Sequence, residues 1–180
     1  VFLQGIDVAS RGGVFELMPV HAEEFGEDRV RNTPISEAAI VGAGLGAAAT
    51  GMRPVVEIMY SGFLGVPMDQ LLNQVAKMRY MFGGDLSLPL TIRTQNTSGY
   101  RAAAQHSQSL HNLIAAIPGI RVVCTSTPAD ALGLLKSAIR HDDPVLVFEH
   151  AGTYNRSGPV PESEYTLPLG EAAVERDGED

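Results

Sequence analysis

Cysteine is nearly absent from this chain. Cys124 is the only one in 180 residues, which excludes an internal disulfide and a thiolate metal cluster and suits a reducing compartment. It is expected to be a small buried residue at a strand end. Basic charge is also scarce, with 13 Lys and Arg scattered among 21 Asp and Glu for a net charge of -8. A surface of that sign argues against nucleic acid or an anionic membrane as the main partner. No apolar run approaches the length that crosses a bilayer, and the first residues carry no basic segment leading into an apolar one. The expected location is therefore the cytoplasm, with an upstream segment compatible with a chain that opens directly in a strand-like run. Internal repeats and low-complexity tracts are missing as well. What is present is a hydrophobic fraction of 44%, enough for one α/β domain with a substantial core.

Short β-branched or aliphatic runs at 1–4, 29–31, 55–59, 88–93, 121–124 and 145–149 alternate with longer helical patterns. The alternation predicts an α/β fold, a mostly parallel sheet with helices on both faces. Residues 67–80 carry Met68, Leu71, Leu72, Val75, Ala76 and Met78 at helical spacing, and Gly83-Gly84 ends that helix. Residues 129–140 form a second amphipathic pattern, with Arg140 and His141 at its negative end. After His150 turn residues replace periodicity, so the domain is expected to occupy 1–150 and a linker 151–168.

The most informative stretch is Asn32-Thr33-Pro34-Ile35-Ser36-Glu37, leading into a run of Ala, Gly and aliphatic residues with no charge until Arg53. Thr33 is a suitable N-cap and Pro34 a suitable first helical residue, which puts Glu37 in the first turn. A helix that is small or apolar on every side belongs in a domain centre or an interface. A carboxylate buried at its entry needs a hydrogen-bond partner or a proton. Spacing alone leaves two readings open: Glu37 caps backbone N–H groups, or it serves a ligand.

Seven further strings occur in order with Thr33-Pro34-Ile35-Ser36-Glu37-Ala38: Arg53-Pro54-Val55-Val56-Glu57, Met68-Asp69-Gln70, Arg79-Tyr80-Met81-Phe82-Gly83-Gly84, Arg93-Thr94, Ala104-Gln105-His106-Ser107-Gln108, Pro118-Gly119-Ile120 and Asp143-Pro144-Val145. As an ordered set they resemble the β subunit of the thiamine-diphosphate-dependent E1 component of 2-oxo acid dehydrogenase complexes, in its transketolase-like pyrimidine-binding domain. Residues 72–84 and 101–108 are similar to acetoin dehydrogenase β subunits as well as to pyruvate-type ones. A branched-chain 2-oxo acid subunit is the alternative within enzymes. Residues 165–176 resemble the lead-in to the C-terminal domain of such subunits, so 169–180 is expected to be its truncated start.

The resemblance implies an oxidoreductase that decarboxylates a 2-oxo acid, pyruvate first, or cleaves acetoin, and passes the acyl group to the lipoyl domain of an E2 partner. It implies thiamine diphosphate as cofactor. Glu37 matches the glutamate that shares a proton with the pyrimidine ring nitrogen, and Phe63 the aromatic residue that packs on that ring, with Met59 beside it. An ordinary core phenylalanine is the other reading of Phe63. His106 matches the histidine at the site mouth that serves substrate or lipoyl, although a lone histidine is more often structural. Leu90, Ala138, His141 and Asp143 match positions whose main-chain oxygens hold a structural potassium ion in related subunits. Nothing here resembles the Gly-Asp-Gly run and downstream Asn pair that related enzymes use for magnesium and the diphosphate. Those ligands are expected from an α subunit in an α2β2 heterotetramer.

Two patterns are set aside, and one departure stands out. Gly42-Ala43-Gly44-Leu45-Gly46 lacks the spacing of a dinucleotide fingerprint and reads as close packing within a helix. His21-Ala22-Glu23-Glu24 lacks a second histidine at metal-ligand spacing and reads as an exposed helix face. Many relatives open with Gly-Glu-Asp-Val where this chain has Gly5-Ile6-Asp7-Val8, so an apolar side chain replaces an acid of the cofactor's polar network. That loss keeps a rival reading alive, a non-catalytic interaction module of the same fold.

Overall fold

The computed structural model describes residues 1–17, 21–174 and 176–178. Six strands, β1 (Phe2–Gly5), β2 (Val30–Asn32), β3 (Pro54–Ile58), β4 (Thr91–Asn96), β5 (Arg121–Cys124) and β6 (Val145–His150), pair in the order β2-β1-β3-β4-β6-β5. Every pairing is parallel. The helices are α1 (Val8–Arg11), α2 (His21–Phe25), α3 (Glu37–Ala49), α4 (Met78–Met81), α5 (His111–Ala115) and α6 (Pro128–Arg140). No helix of the described residues is long and apolar enough to cross a membrane.

Parallel strands must be covered on both faces, and alternation along each strand decides which side chain goes where. Val56, Ile58, Ile92, Leu146 and Phe148 face the larger core, where α3 contributes Ile40, Val41, Leu45 and Ala48. Leu3, Val30 and Val55 face the opposite side with Val8 of α1. Val123, Val145 and Val147 meet Ala138 of α6. Each such Val, Leu, Ile or Phe side chain contributes about 1.5–3 kcal/mol by leaving water.

Four local expectations are corrected. Helix α3 starts at Glu37 with Ser36 as N-cap, not at Pro34, and Ser36 makes no side-chain cap bond. The Thr33 N–H instead donates to Gly5 O at 2.9 Å, and a residue before proline is held out of the helical region. Strand β4 starts at Thr91 because Pro89 has no N–H to give and Leu90 N–H turns back to Leu88 O at 2.7 Å. The helix over 67–80 widens into a π turn at Gln70–Val75, where Ala76 N–H reaches Leu71 O at 3.0 Å, before α4 resumes. Cys124 is exposed, because β5 is an edge strand and its inward residue is Val123.

The segment after β6 packs back on α6. Tyr165 Oη donates to Ala129 O at 2.8 Å, and Leu167 lies over Gly133, where a Cβ would come within 2.7 Å of it. Helix α6 is itself fixed at its start by a reciprocal pair: Thr127 Oγ1 accepts from Asp130 N–H, and the Asp130 carboxylate accepts from Thr127 N–H.

Helix α3 is buried on one side only. Glu37, Ile40, Val41, Gly44, Leu45 and Ala48 face the sheet, whereas Ala39, Ala43 and Gly46 are open to solvent. A Cβ at Gly44 would sit 2.6 Å from Val56 Cγ1 and 3.1 Å from Leu90 Cδ1, whereas one at Gly46 would meet nothing within 4 Å. Two glycines in one helix should therefore respond oppositely. Gly44→Ala is expected to destabilise the chain by about 1–3 kcal/mol through overpacking. Gly46→Ala should stabilise it by up to about 1 kcal/mol through helix propensity. Urea unfolding followed by circular dichroism checks the pair, and equal effects would refute this packing.

Candidate functional site

Open parallel sheets place ligands outside the carboxyl ends of their strands, and here that edge gathers the loops leaving β2, β3, β4 and β6. Glu37 is the first residue of α3, directly after the β2 exit. The helix is held over β1 by Gln4 Nε2, which donates to Ile40 O at 2.7 Å. Glu37 is only 8% exposed, yet its carboxylate accepts no hydrogen bond from any described residue. The backbone-capping alternative therefore has no bond to support it. Ile6, at the β1 exit, joins the core cluster of Ile40 and Val41, so the position that carries an acid in many relatives is dry and apolar.

From β3 the chain passes through Met59 and Tyr60 into a 3-10 turn at Ser61–Gly65 that carries Phe63. Met59 and Phe63 are half-buried against the larger core. The segment after β4 folds over this turn. Ser61 Oγ donates to Gln108 O at 3.0 Å, as does Thr97 N–H at 3.1 Å. A Cβ at Gly62 would lie 2.3 Å from the movable Gln108 Oε1 and 3.0 Å from Gln105 O, so the loop lies close against this turn. Within the loop Ser107 Oγ accepts from Ala102 N–H at 2.9 Å, and Ala103 takes a left-handed φ of 60°. An alanine there is strained, and strain of this kind collects at functional loops. The result is that His106 meets Phe63 edge-on at 5.3 Å between ring centroids. Phe63 and His106, far apart in sequence, are thus in contact, and Glu37 lies on the same edge at the β2 exit, with β3 and β1 between it and the β4 exit.

The four positions matched to potassium lie at the opposite, amino edge. Leu90 O accepts from Val145 N–H at 3.0 Å, Ala138 O from His141 N–H at 3.2 Å and His141 O from Arg53 Nη1 at 3.0 Å. Asp143 N–H donates to His141 Nδ1 at 3.0 Å, closing the turn. Arg53 also reaches Ile139 O at 3.0 Å and pairs with the Asp142 carboxylate. A guanidinium therefore supplies the positive charge at this turn.

The model of the transketolase pyrimidine-binding domain matches residues 1–156. The chain belongs to that family. Among curated relatives, the pyrimidine-binding domain is 52% identical over 169 residues to the acetoin:2,6-dichlorophenolindophenol oxidoreductase subunit beta of Bacillus subtilis, covering 94% of this chain and 49% of that protein. It is 47% identical to the pyruvate dehydrogenase E1 component subunit beta of the same organism, over 100% of this chain and 56% of that one. Identity to its 2-oxoisovalerate dehydrogenase subunit beta is 45%, over 100% and 55%. The chain thus spans about half the length of the curated relatives it matches. Among solved structures, a split-gene transketolase described as an inactive beta4 tetramer superposes with a TM-score of 0.65 at 18% identity, over 83% of this chain and 44% of that one. That likeness shows the fold, and with the family match it bears out the expected α/β architecture.

The pyrimidine-binding domain also holds a buried ion cluster that sequence reasoning missed. Arg93 on β4 lies between Glu57 on β3 and Glu149 on β6. Its Nη1 donates to Glu57 Oε2 at 3.0 Å, and its Nε and Nη2 donate to the two oxygens of Glu149 at 2.9 and 2.8 Å. All three are buried, and Tyr154 Oη donates to Glu149 Oε2 at 2.9 Å. The signal was one charged residue in each of three central strands, since charges in a parallel sheet buried on both faces must be partnered there. Burial pushes the Glu57 carboxyl above its ordinary value; Arg93 pulls it down, and the Glu149 charge pushes it up again. Burial acts to lower Arg93, but the Glu149 and Glu57 carboxylates outweigh it, so the guanidinium stays charged.

Removing the cation strands two buried carboxylates, so Arg93→Met is expected to cost about 3–5 kcal/mol. Glu57→Gln should cost less, because Glu149 remains to hold Arg93. The pH dependence has a definite sign. A raised folded-state value for Glu57 means its contribution is fully present below 4.5, the unfolded value, and is lost as pH rises through the folded one. Relative to Glu57→Gln, the wild type should therefore lose stability from acid to neutral pH. Urea titrations of both proteins across that range test this, and a difference that stays flat would refute the assignment.

Proposed function

We propose that this chain is the pyrimidine-binding part of an E1 β subunit in which thiamine diphosphate lies between this carboxyl edge and an α subunit. The observation that carries the reading is Glu37, a buried carboxylate without a protein hydrogen bond, at the edge where Phe63 and His106 meet. A carboxylate with no protein partner at this edge is open to a ligand, and a ring nitrogen able to share a proton is a suitable partner for it. The residues present therefore fit the cofactor. When bound, thiamine diphosphate supplies a carbon nucleophile that adds to the carbonyl of a 2-oxo acid or of acetoin.

The chain's own residues do the rest. Glu37 holds a proton at the pyrimidine ring nitrogen, with no second acid at position 6 to share it. Phe63 offers a ring face to the flat heterocycle, a contact favourable by about 0.5–1.5 kcal/mol beyond burial, and Met59 fills the space beside it. His106 presents its imidazole at the mouth, where it meets a substrate carboxylate or the lipoyl group of an E2 domain. The site is incomplete in one chain. Among the described residues no three His, Cys, Asp or Glu side chains gather as metal ligands, so the reading takes magnesium and the diphosphate ligands from the α subunit. The open face of Ala39, Ala43 and Gly46 on α3 lets a second chain come close in an α2β2 assembly. The reading assigns no step to potassium, because Arg53 already charges the matched turn. It places the assembly in the cytoplasm.

Pyruvate and acetoin come first as substrates, since a 55% identical relative, in Cupriavidus necator, is again an acetoin:2,6-dichlorophenolindophenol oxidoreductase subunit beta. The 45% identity to a 2-oxoisovalerate dehydrogenase subunit keeps branched 2-oxo acids in the substrate panel.

The test is calorimetric binding of thiamine diphosphate and magnesium to the full-length chain assembled with its α partner, followed by turnover of pyruvate, acetoin and branched 2-oxo acids. Glu37→Gln is expected to lower turnover by roughly 10²-fold or more, the usual range for a positioned acid. An assembled wild type that binds no cofactor would instead establish the non-catalytic module.

A further inference from the structure

His106 makes no hydrogen bond among the described residues, and its imidazole meets two rings edge-on. The closer ring is not that of Phe63. Tyr60 meets His106 edge-on at 4.6 Å between centroids and an interplanar angle of 81°, against 5.3 Å and 87° for Phe63. Tyr60 and Phe63 meet each other at 5.8 Å and 88°, closing a triangle. Behind Tyr60 stands Phe15 at 5.7 Å, which in turn touches Tyr154 at 5.3 Å and Tyr100 at 6.1 Å. Tyr154 is tied through its hydroxyl to Glu149 and so to Arg93. A continuous wall of rings thus runs from the buried ion cluster to the histidine.

We infer that Tyr60 is a positioning residue whose ring, not its hydroxyl, fixes the direction in which His106 presents its imidazole at the site mouth. The hydroxyl has no hydrogen-bond partner among the described residues. Burial, with Tyr100 beside it, pushes that hydroxyl up from its ordinary value of 10.0, so it stays neutral at physiological pH and offers His106 no charge. What Tyr60 does offer is the closer of two edge contacts on a ring that no hydrogen bond holds, so that removing it leaves Phe63 as the one remaining ring contact. Small displacements of a reacting group are costly in rate. The task of His106 rests on the thiamine-diphosphate reading, whereas the direction of its ring does not.

The experiment compares wild type, Tyr60→Leu and Tyr60→Phe in the full-length chain assembled with its α partner. The first readout is independent of turnover: the rate at which diethyl pyrocarbonate acylates His106, followed by peptide mass spectrometry. Tyr60→Leu should speed acylation about fivefold, the worth of one edge contact, and Tyr60→Phe should react like wild type. The second readout is kinetic. Tyr60→Leu should lower kcat roughly 10-fold with cofactor affinity unchanged, Tyr60→Phe should recover most of that loss, and Tyr60→Leu should cost nothing further in a His106→Ala background. Equal acylation in all three proteins would overturn the inference. So would a Phe variant as impaired as the Leu variant, or a full loss that persists without His106. If Tyr60→Leu fails to assemble, Phe15→Leu removes the ring behind Tyr60 and should speed His106 acylation in the same sense; no change would again overturn it. Failure of the wild type to bind cofactor would remove the functional reading alone, because the acylation rates still decide the role of Tyr60.

Discussion

Arg93 sits where the sheet has no water to offer, and the middle of the molecule is organised around that constraint. Its guanidinium bonds to β3 through Glu57 and to β6 through both oxygens of Glu149. Three charges with a net excess of one negative are expensive in such a place, and a set of apolar side chains of similar volume would often be as stable or more so. What the ion cluster adds is direction. Hydrogen bonds fix the register of β4 between β3 and β6 more narrowly than aliphatic packing does, and β4 is the strand whose exit leads to the His106 loop. The cluster also reaches outward, since Glu149 holds the Tyr154 hydroxyl and Gly13, where a Cβ would come within 2.6 Å of Glu57 Oε1, brings the connection after α1 against it. That connection carries Phe15.

Ion cluster and aromatic wall therefore form one mechanical unit. Each ring contact is worth about 0.5–1.5 kcal/mol beyond area burial, too little to hold a loop alone but enough in series behind a rigid anchor. The loop after β4 then needs few bonds of its own: a carbonyl at Gln108 that accepts from Ser61 and Thr97, and a glycine at 62 that lets it lie flat. On the other face of the sheet Glu37 is fixed differently, by the start of a helix whose third turn is pressed against Val56 and Leu90 through Gly44. One edge thus receives Glu37 and His106 from two different supports.

Much of this was legible in the sequence, for reasons that differ from element to element. Strand β5 was read to the residue because Arg121-Val122-Val123-Cys124 is bounded by glycine on one side and a polar turn on the other. Strand β4 was read three residues early because Leu88 and Leu90 look like strand, and the tight turn across Pro89 that delays the ladder is a conformational detail. The start of α3 was misplaced because Thr33 and Pro34 carry good cap chemistry, which a tertiary bond from the Thr33 amide to Gly5 overrides. Glu37, Phe63 and His106 were singled out through motif resemblance, since no periodicity links residues 26 and 43 positions apart. Tyr60, next to Met59 in sequence, carried no signal of its own because an aromatic wall is a property of packing. Glu57, Arg93 and Glu149 were the more avoidable omission, because a lone charge inside each of three central parallel strands has few places to go.

The two sides of α3 carry the last step. Sequence showed a helix without polar faces, and the fold covers half of it; Ala39, Ala43 and Gly46 remain against solvent in a helix that could have carried Lys and Glu there at no cost. Surface helices of self-sufficient domains place charge on such a face. A helix that instead keeps it small leaves room for a neighbouring backbone and offers little area of its own, so the gain must come from what the neighbour brings. Glu37 heads the same helix with its carboxylate unbonded. The open face and the unbonded acid thus meet on one helix: the side of α3 that faces the sheet is completed within this chain, whereas Ala39, Ala43, Gly46 and the Glu37 carboxylate are bonded by none of its described side chains.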